Sequence, residues 1–281
     1  MNRMRKLLLS VILAAWAAPA QMPDWATIEA NIPYDQYKET VLDILQPTAK
    51  ATGKRPGVIV IHGGGWTGGT KESQIQPICL RYVEKGYVVA NVEYRLAKAA
   101  LAPAAVTDAL NAARWFRKHA KQYNVDKKRI VVTGGSAGGH LALIVGMTPK
   151  SAKLGPPAKV AAVINFYGIT DVGDQLGGPN ERKYAVTWLP EQTGRMELAR
   201  RVSPMTYVRK DLPPILTLHG DADPTVPYEH GTKLTKALVD KGAKAEMITV
   251  PGGKHGFPKE TLDELYPRIF AFLKDQASIA P

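Results

Sequence analysis

The stretch Ile130-Val131-Val132-Thr133-Gly134-Gly135-Ser136-Ala137-Gly138-Gly139-His140-Leu141-Ala142 decides the fold. Ile130 to Thr133 is a short β-branched run of the kind that forms a buried strand. Gly138 to Met147 follows at once with a helical pattern. Between them stands G-x-S-x-G, from Gly134 to Gly138. A strand that turns sharply into a helix holds a serine hydroxyl exposed at a strained backbone angle. The helix N-terminus beneath it favours negative charge that develops nearby. The five letters alone match any Gly/Ser turn; the strand–turn–helix setting is what gives Ser136 its weight as a nucleophile.

Outward from this point the same alternation repeats. Apolar runs at 41–45, 58–61, 87–92, 160–166, 215–218 and 247–250 read as strands. Helical patterns lie at 75–85, 104–123, 228–241 and 261–276, the clearest carrying Ala105, Ala109, Ala112, Ala113 and Phe116 on one face. Strand and helix in alternation predict an α/β fold, a mostly parallel central sheet with helices on both faces. Residues 21–38 look irregular. Residues 171–212 break the rhythm with glycines, prolines, Tyr184 and Trp188, and predict a short inserted, lid-like segment over the sheet edge. Nothing else divides residues 21–281, which read as one domain.

Three further loops follow predicted strands. His62-Gly63-Gly64-Gly65-Trp66 leaves backbone N–H groups free to converge on one oxygen, as an oxyanion hole requires. A phosphate loop is disfavoured there: counted from Gly64, Thr70 stands where a lysine is needed and Lys71 comes one position late. His219-Gly220-Asp221-Ala222-Asp223 supplies two carboxylates able to reach a histidine. Gly252-Gly253-Lys254-His255-Gly256-Phe257 supplies the histidine. Each loop alone has a bland reading as a turn; together, all at strand ends, they read as one site.

The whole pattern resembles the α/β-hydrolase superfamily, with its order of Ser, Asp and His along the chain. The HGGGW, GGSAGGHLA, HGDADPTVP and GGKHGF blocks resemble those of bacterial esterases and lipases, including hormone-sensitive-lipase-like carboxylesterases and feruloyl or acetylxylan esterase-like proteins. The likeness runs from about Val41 to Leu273. It implies Ser136 as nucleophile, His255 as base and Asp223 as acid, because the family acid stands three residues before Val226-Pro227; Asp221 is the rival. It implies an oxyanion hole from the amides of Gly64, Gly65 and Ala137. Few residues precede Val41, so the large N-terminal cap of the hormone-sensitive-lipase-like enzymes has no counterpart, and the compact feruloyl or acetylxylan esterase-like members are nearer. The implied reaction is hydrolysis of small or carbohydrate-linked esters, acetyl, feruloyl or short acyl, through an acyl-enzyme, with no cofactor and no metal. A prolyl-oligopeptidase-type serine peptidase shares the triad order but carries an extra domain for which there is no room. A non-catalytic binding protein on the same fold is disfavoured by the intact triad.

Other polar and aromatic residues have structural readings. His140 packs or caps the elbow helix, His62 holds the glycine loop, His119 and His230 lie on helix surfaces, and Asp108 is a hydrogen-bond partner. Trp66, Trp188 and Tyr184 are candidates to line the substrate pocket, with core packing as the competing role.

The first twenty residues differ from the rest. Arg3, Arg5 and Lys6 precede an apolar run from Leu7 to Ala18, and Ala18-Pro19-Ala20 offers small residues for cleavage. This is a secretory signal pattern, too short to span a bilayer stably, and it predicts a secreted or periplasmic protein. Without these three cations the formal charge falls from +12 to +9. The basic residues are dispersed, so a solvated basic surface is expected rather than a nucleic-acid site. Cys79 is the only cysteine, which excludes an internal disulfide and a thiolate zinc site.

Overall fold

The computed structural model describes residues 22–280; the expected export signal over residues 1–20 lies outside them. The central runs of the sequence form strands because they are apolar on both sides. β3 (Arg55–Ile61), β4 (Val88–Val92), β5 (Val125–Gly135), β6 (Ala162–Phe166) and β7 (Ile215–Gly220) are buried along most of their length, and every residue of β4 and β6 is buried. With β1 (Ala26–Pro33), β2 (Val41–Pro47) and β8 (Ala245–Val250) they make one eight-stranded sheet in the order β1-β2-β4-β3-β5-β6-β7-β8. The pairs from β4 through to β8 are parallel, whereas β1–β2 and β2–β4 are antiparallel. This is the mostly parallel sheet the alternation predicts.

Successive residues of each strand feed opposite faces. Ile59, Ile61, Ile130, Val132 and Val163 meet the helices α2 (Ala104–His119) and α3 (Ala137–Met147). Val58, Val60, Val131, Ile164 and Leu216 meet α1 (Leu80–Glu84) and α7 (Lys259–Ala277) on the other side. Helix α6 (Glu229–Asp240) packs beside β7 and β8. No described helix is long and apolar enough to cross a membrane.

Three expectations change. Residues 21–38 are not irregular, since they contain β1. That strand is an edge with a single buried residue, and its register breaks between Glu29 and Ile32, where Asn31 takes φ 59° and its amide donates to Asp43 at 2.9 Å. An exposed edge carries no apolar alternation to read. The helix expected over 75–85 is split into a π turn, Ile75–Cys79, and α1; Pro77, which has no N–H to donate, sits in the turn. Residues 171–212 form the crossover from β6 to its neighbour β7 and contain α4 (Lys183–Trp188) and α5 (Arg195–Arg201). Ala185, Trp188, Leu189, Ala199 and Val202 are buried in the core shared with α2 and α3, so this much of the segment is a wall of the domain.

Candidate active site

Strand β5 lies in the middle of the sheet and ends at the elbow. Ser136 takes φ 58° and ψ −123°, a conformation that a side-chain-bearing residue keeps only when its surroundings impose it. Two bonds do so: its amide donates to the Phe166 carbonyl at 2.9 Å, and its own carbonyl accepts from His140 N at 3.0 Å. The helix behind it can begin this close to the sheet only because position 138 lacks a side chain; a Cβ on Gly138 would stand 2.1 Å from the Ile61 carbonyl oxygen.

The loops at the ends of β7 and β8 bring a carboxylate and an imidazole to this serine. His255 Nε2 accepts from Ser136 Oγ at 2.9 Å, and His255 Nδ1 donates to Asp223 Oδ2 at 2.8 Å. The Asp223 side chain is fully buried and that of His255 is 21% exposed. Burial alone would raise the Asp223 carboxyl. Hydrogen bonds from His219, His255 and the Thr225 amide outweigh it and hold the group well below the usual carboxylate range. Oδ1 accepts from the amides of Thr225 and Val226 at 2.8 and 3.0 Å, and His219 Nε2 stands 3.3 Å from Oδ2. Asp221, the rival acid, is turned away: its carboxylate accepts from Gly252 N at 2.6 Å and braces the loop before His255.

The glycine loop lies against the elbow. Gly64 and Gly65 take φ 110° and 58°, which glycine reaches without steric cost, and Trp66 follows at 58°, which costs strain. Among the described residues no acceptor meets the amides of Gly64 or Gly65. Ala137 opens α3, where helical N–H groups have no partner within the helix. The three expected oxyanion donors are thus uncommitted on the loop and helix that flank Ser136.

Trp66 and Trp188 do not present a pocket wall, as expected of them; both are fully buried. Their rings stack at 4.2 Å, 16° from parallel, beneath the glycine loop. Burial of so much apolar surface outweighs exposure to a substrate. Trp66 Nε1 donates to His140 Nδ1 at 3.2 Å, and His140 Nε2 donates to the Val202 carbonyl at 2.7 Å. Desolvation lowers the His140 ring to about 4, so it stays neutral and packs, as the sequence suggests. Tyr184 packs against the loop, its ring 5.9 Å from that of Trp66, and a Cβ on Gly65 would meet it at 2.6 Å. A cavity of about 210 Å3 adjoins the site instead, between Gly134, Gly135, Ile78, Phe166, Tyr167 and Phe257.

One residue escaped the sequence reading and another sits elsewhere than expected. Tyr167, at φ 40° beyond the end of β6, sets its ring edge-on to His255 at 4.9 Å between centroids. Burial, with Asp223 nearby, pushes its hydroxyl up to about 12. No motif marks it. His230 is buried rather than on the helix surface; its Nδ1 accepts from Thr170 N at 3.0 Å. The four-residue spacing His230, Leu234, Leu238 was the available signal, since all three lie on the buried face of α6. Among the described residues, no group of three or more His, Cys, Asp or Glu side chains converges as metal ligands.

The arrangement can transfer the Ser136 proton to His255 while Asp223 steadies the resulting cation, and can receive an oxyanion on backbone amides. The BD-FAE family model matches residues 42–238. Esterase LipQ of Mycobacterium tuberculosis is 30% identical over 247 residues, 83% of this chain and 58% of that protein. The chain spans about half the length of several curated relatives it matches. A truncated carbohydrate esterase from gut microbiota superposes with TM-score 0.80 at 29% identity, covering 90% of this chain and 96% of that one. Apo esterase 2 of Thermogutta terrifontis gives TM-score 0.75 at 27% identity, over 95% and 100% of the two chains. The fold is that of the α/β-hydrolase esterases.

Proposed function

This chain belongs to the BD-FAE family, and from that premise we propose that it is a serine carboxylic-ester hydrolase acting on small or carbohydrate-linked esters. The observation that carries the reading is the continuous relay from Ser136 Oγ through His255 to Asp223, at 2.9 and 2.8 Å, beside amides that meet no acceptor among the described residues. Ser136 Oγ attacks the ester carbonyl carbon as His255 takes its proton. The oxyanion settles on the amides of Gly64, Gly65 and Ala137, each worth about 10²–10³ in turnover. Collapse expels the alcohol, which takes the proton from His255, and leaves an acyl group on Ser136. Water, deprotonated by His255, then releases the acid by the same steps in reverse order.

The similarity to a carbohydrate esterase over 90% of the chain supports an ester borne on a sugar polymer, with an acetyl, feruloyl or short acyl group. The cavity beside Tyr167 and Phe257 offers room for one arm of such an ester. The basic, apolar, small-residue order of the first twenty positions supports export, so that the working protein meets polysaccharide outside the cytoplasm.

The test is a panel of p-nitrophenyl acetate, p-nitrophenyl butyrate, methyl ferulate and acetylated xylan, each with wild type and Ser136→Ala. The wild type turns over at least one ester, and the variant loses that activity by orders of magnitude. Equal rates in the two proteins would refute the proposal. Release of amines from matched amide substrates, with no ester turnover, would transfer the site to peptidase chemistry.

A further inference from the structure

The glycine loop that follows β3 runs from His62 to Lys71, with the Gly64 carbonyl accepting from the Thr67 and Gly68 amides at 3.1 and 3.0 Å in its middle. Gly64, Gly65 and Gly69 have positive φ, and so does Trp66, at 58°, where a side chain makes this conformation costly. Where the loop's amides point also depends on how its two ends are held. One side chain reaches both ends. Glu93, just past the end of β4, accepts from His62 Nε2 at 2.7 Å through Oε1 and from the Lys71 amide at 3.1 Å through Oε2.

The surroundings leave that carboxylate little freedom. Its Oε1 also takes the Tyr94 amide at 3.2 Å. Tyr94 stacks on the His62 ring at 4.3 Å, and its hydroxyl donates to the His62 carbonyl at 3.2 Å. His62 Nδ1 lies 2.7 Å from the Gly63 carbonyl, one residue nearer the amides of Gly64 and Gly65. At the far end, Asn91 Nδ2 donates to the Lys71 carbonyl at 2.8 Å, and the buried Lys71 ammonium pairs with Asp43 at 2.8 Å. Glu93 itself is largely shielded, with 18% of its side chain exposed.

We propose that Glu93 is a positioning residue for the oxyanion hole: its two carboxylate oxygens clasp the first and last residues of the glycine loop and so set where the Gly64 and Gly65 amides point. The inference rests on the serine-esterase reading above. It goes beyond that reading by naming a residue that touches neither substrate nor triad and governs stabilisation of the oxyanion alone. A displaced donor still permits substrate to bind but fails the tetrahedral state, so the loss falls on turnover rather than on KM.

The experiment compares wild type, Glu93→Ala, Glu93→Gln and Tyr34→Phe with p-nitrophenyl acetate and with an aryl trifluoromethyl ketone. In the ketone adduct Ser136 Oγ bonds to the carbonyl carbon, its proton passes to His255, and the oxygen becomes an oxyanion on the loop amides. Tyr34→Phe is the control for simple loosening, because the Tyr34 hydroxyl donates to the Glu93 backbone carbonyl at 2.7 Å and leaves the side chain alone. Glutamine keeps the size but offers one oxygen, enough for one end of the loop only.

Misplacement of donors by about 1 Å costs about 10²-fold. Glu93→Ala is therefore expected to lose about 10²-fold in kcat, and Glu93→Gln about 10-fold, with KM changed less than about threefold and ketone affinity falling in step with kcat. Tyr34→Phe is expected to keep kcat within about threefold, even where its melting temperature falls as far as that of Glu93→Gln. The proposal is overturned if folded Glu93→Gln keeps wild-type kcat and ketone affinity. It is also overturned if Tyr34→Phe loses both to the same extent. A wild type without Ser136-dependent ester turnover would instead defeat the functional reading itself.

Discussion

Acidification is expected to weaken this protein in part through the ring of His140. The ring is fully buried between a donor, Trp66 Nε1, and an acceptor, the Val202 carbonyl. Only the neutral Nε2–H tautomer satisfies both; a second proton on Nδ1 would face the indole N–H. Desolvation therefore brings its pKa from 6.5 down to about 4. Above pH 6.5 both the folded and unfolded chains hold the ring neutral, and stability does not depend on it. Below 6.5 the unfolded chain binds a proton that the folded chain refuses, so stability is lost as pH falls from 6.5 towards 4. Between pH 7 and pH 5 the loss from this group alone is about 2 kcal/mol. In His140→Gln a side-chain carbonyl can still accept from Trp66 and an amide can still donate to Val202, with no titration. Urea unfolding followed by tryptophan fluorescence, at both pH values and for both proteins, isolates the effect, because carboxylates and His230 remain common to the two. The wild type should lose about 2 kcal/mol more than the variant over this interval. An identical loss in both would refute the assignment of a neutral, doubly bonded His140.

The other tests concern the acid and the aromatic floor. Asp223→Asn should lower kcat by about 10⁴-fold, whereas Asp221→Asn, which only disturbs a brace to Gly252, should stay within about tenfold on p-nitrophenyl acetate; the reverse ranking would exchange their roles. Trp188→Ala should cost about 3–5 kcal/mol in chemical denaturation and lower turnover, because it removes the ring on which Trp66 rests. Trp188→Phe should cost much less, since it also deletes a buried indole N–H that has no acceptor among the described residues; equal losses in the two variants would refute the stacking argument.

What could be read from the letters was whatever chemistry the backbone period dictates. β4, β6 and the elbow were legible because strands buried on both faces must be apolar throughout, and because Gly134 and Gly138 permit an approach that other residues would block. Strand β1 was not, because an edge with one buried residue looks like a loop. The triad residues were nameable through their order and their strand-end loops. The choice between Asp221 and Asp223 needed the family pattern, since two carboxylates one residue apart have the same composition and differ only in direction. Trp66 and Trp188 were misjudged because an aromatic ring suits a core and a pocket wall equally well, and only packing separates them. Glu93 was illegible for another reason: its partners lie 31 and 22 positions away, and nothing local distinguishes it from a surface glutamate.

The placement of His255 has a consequence for how such an enzyme comes into being. Its loop follows β8, the outermost strand on its side, and that strand can dock only once β7 is in place. The chemistry proposed at Ser136 therefore needs β7 and β8 in place as well as the central strand that holds the hydroxyl. A chain with β7 and β8 undocked would keep the elbow but lack both the imidazole and the carboxylate that face it.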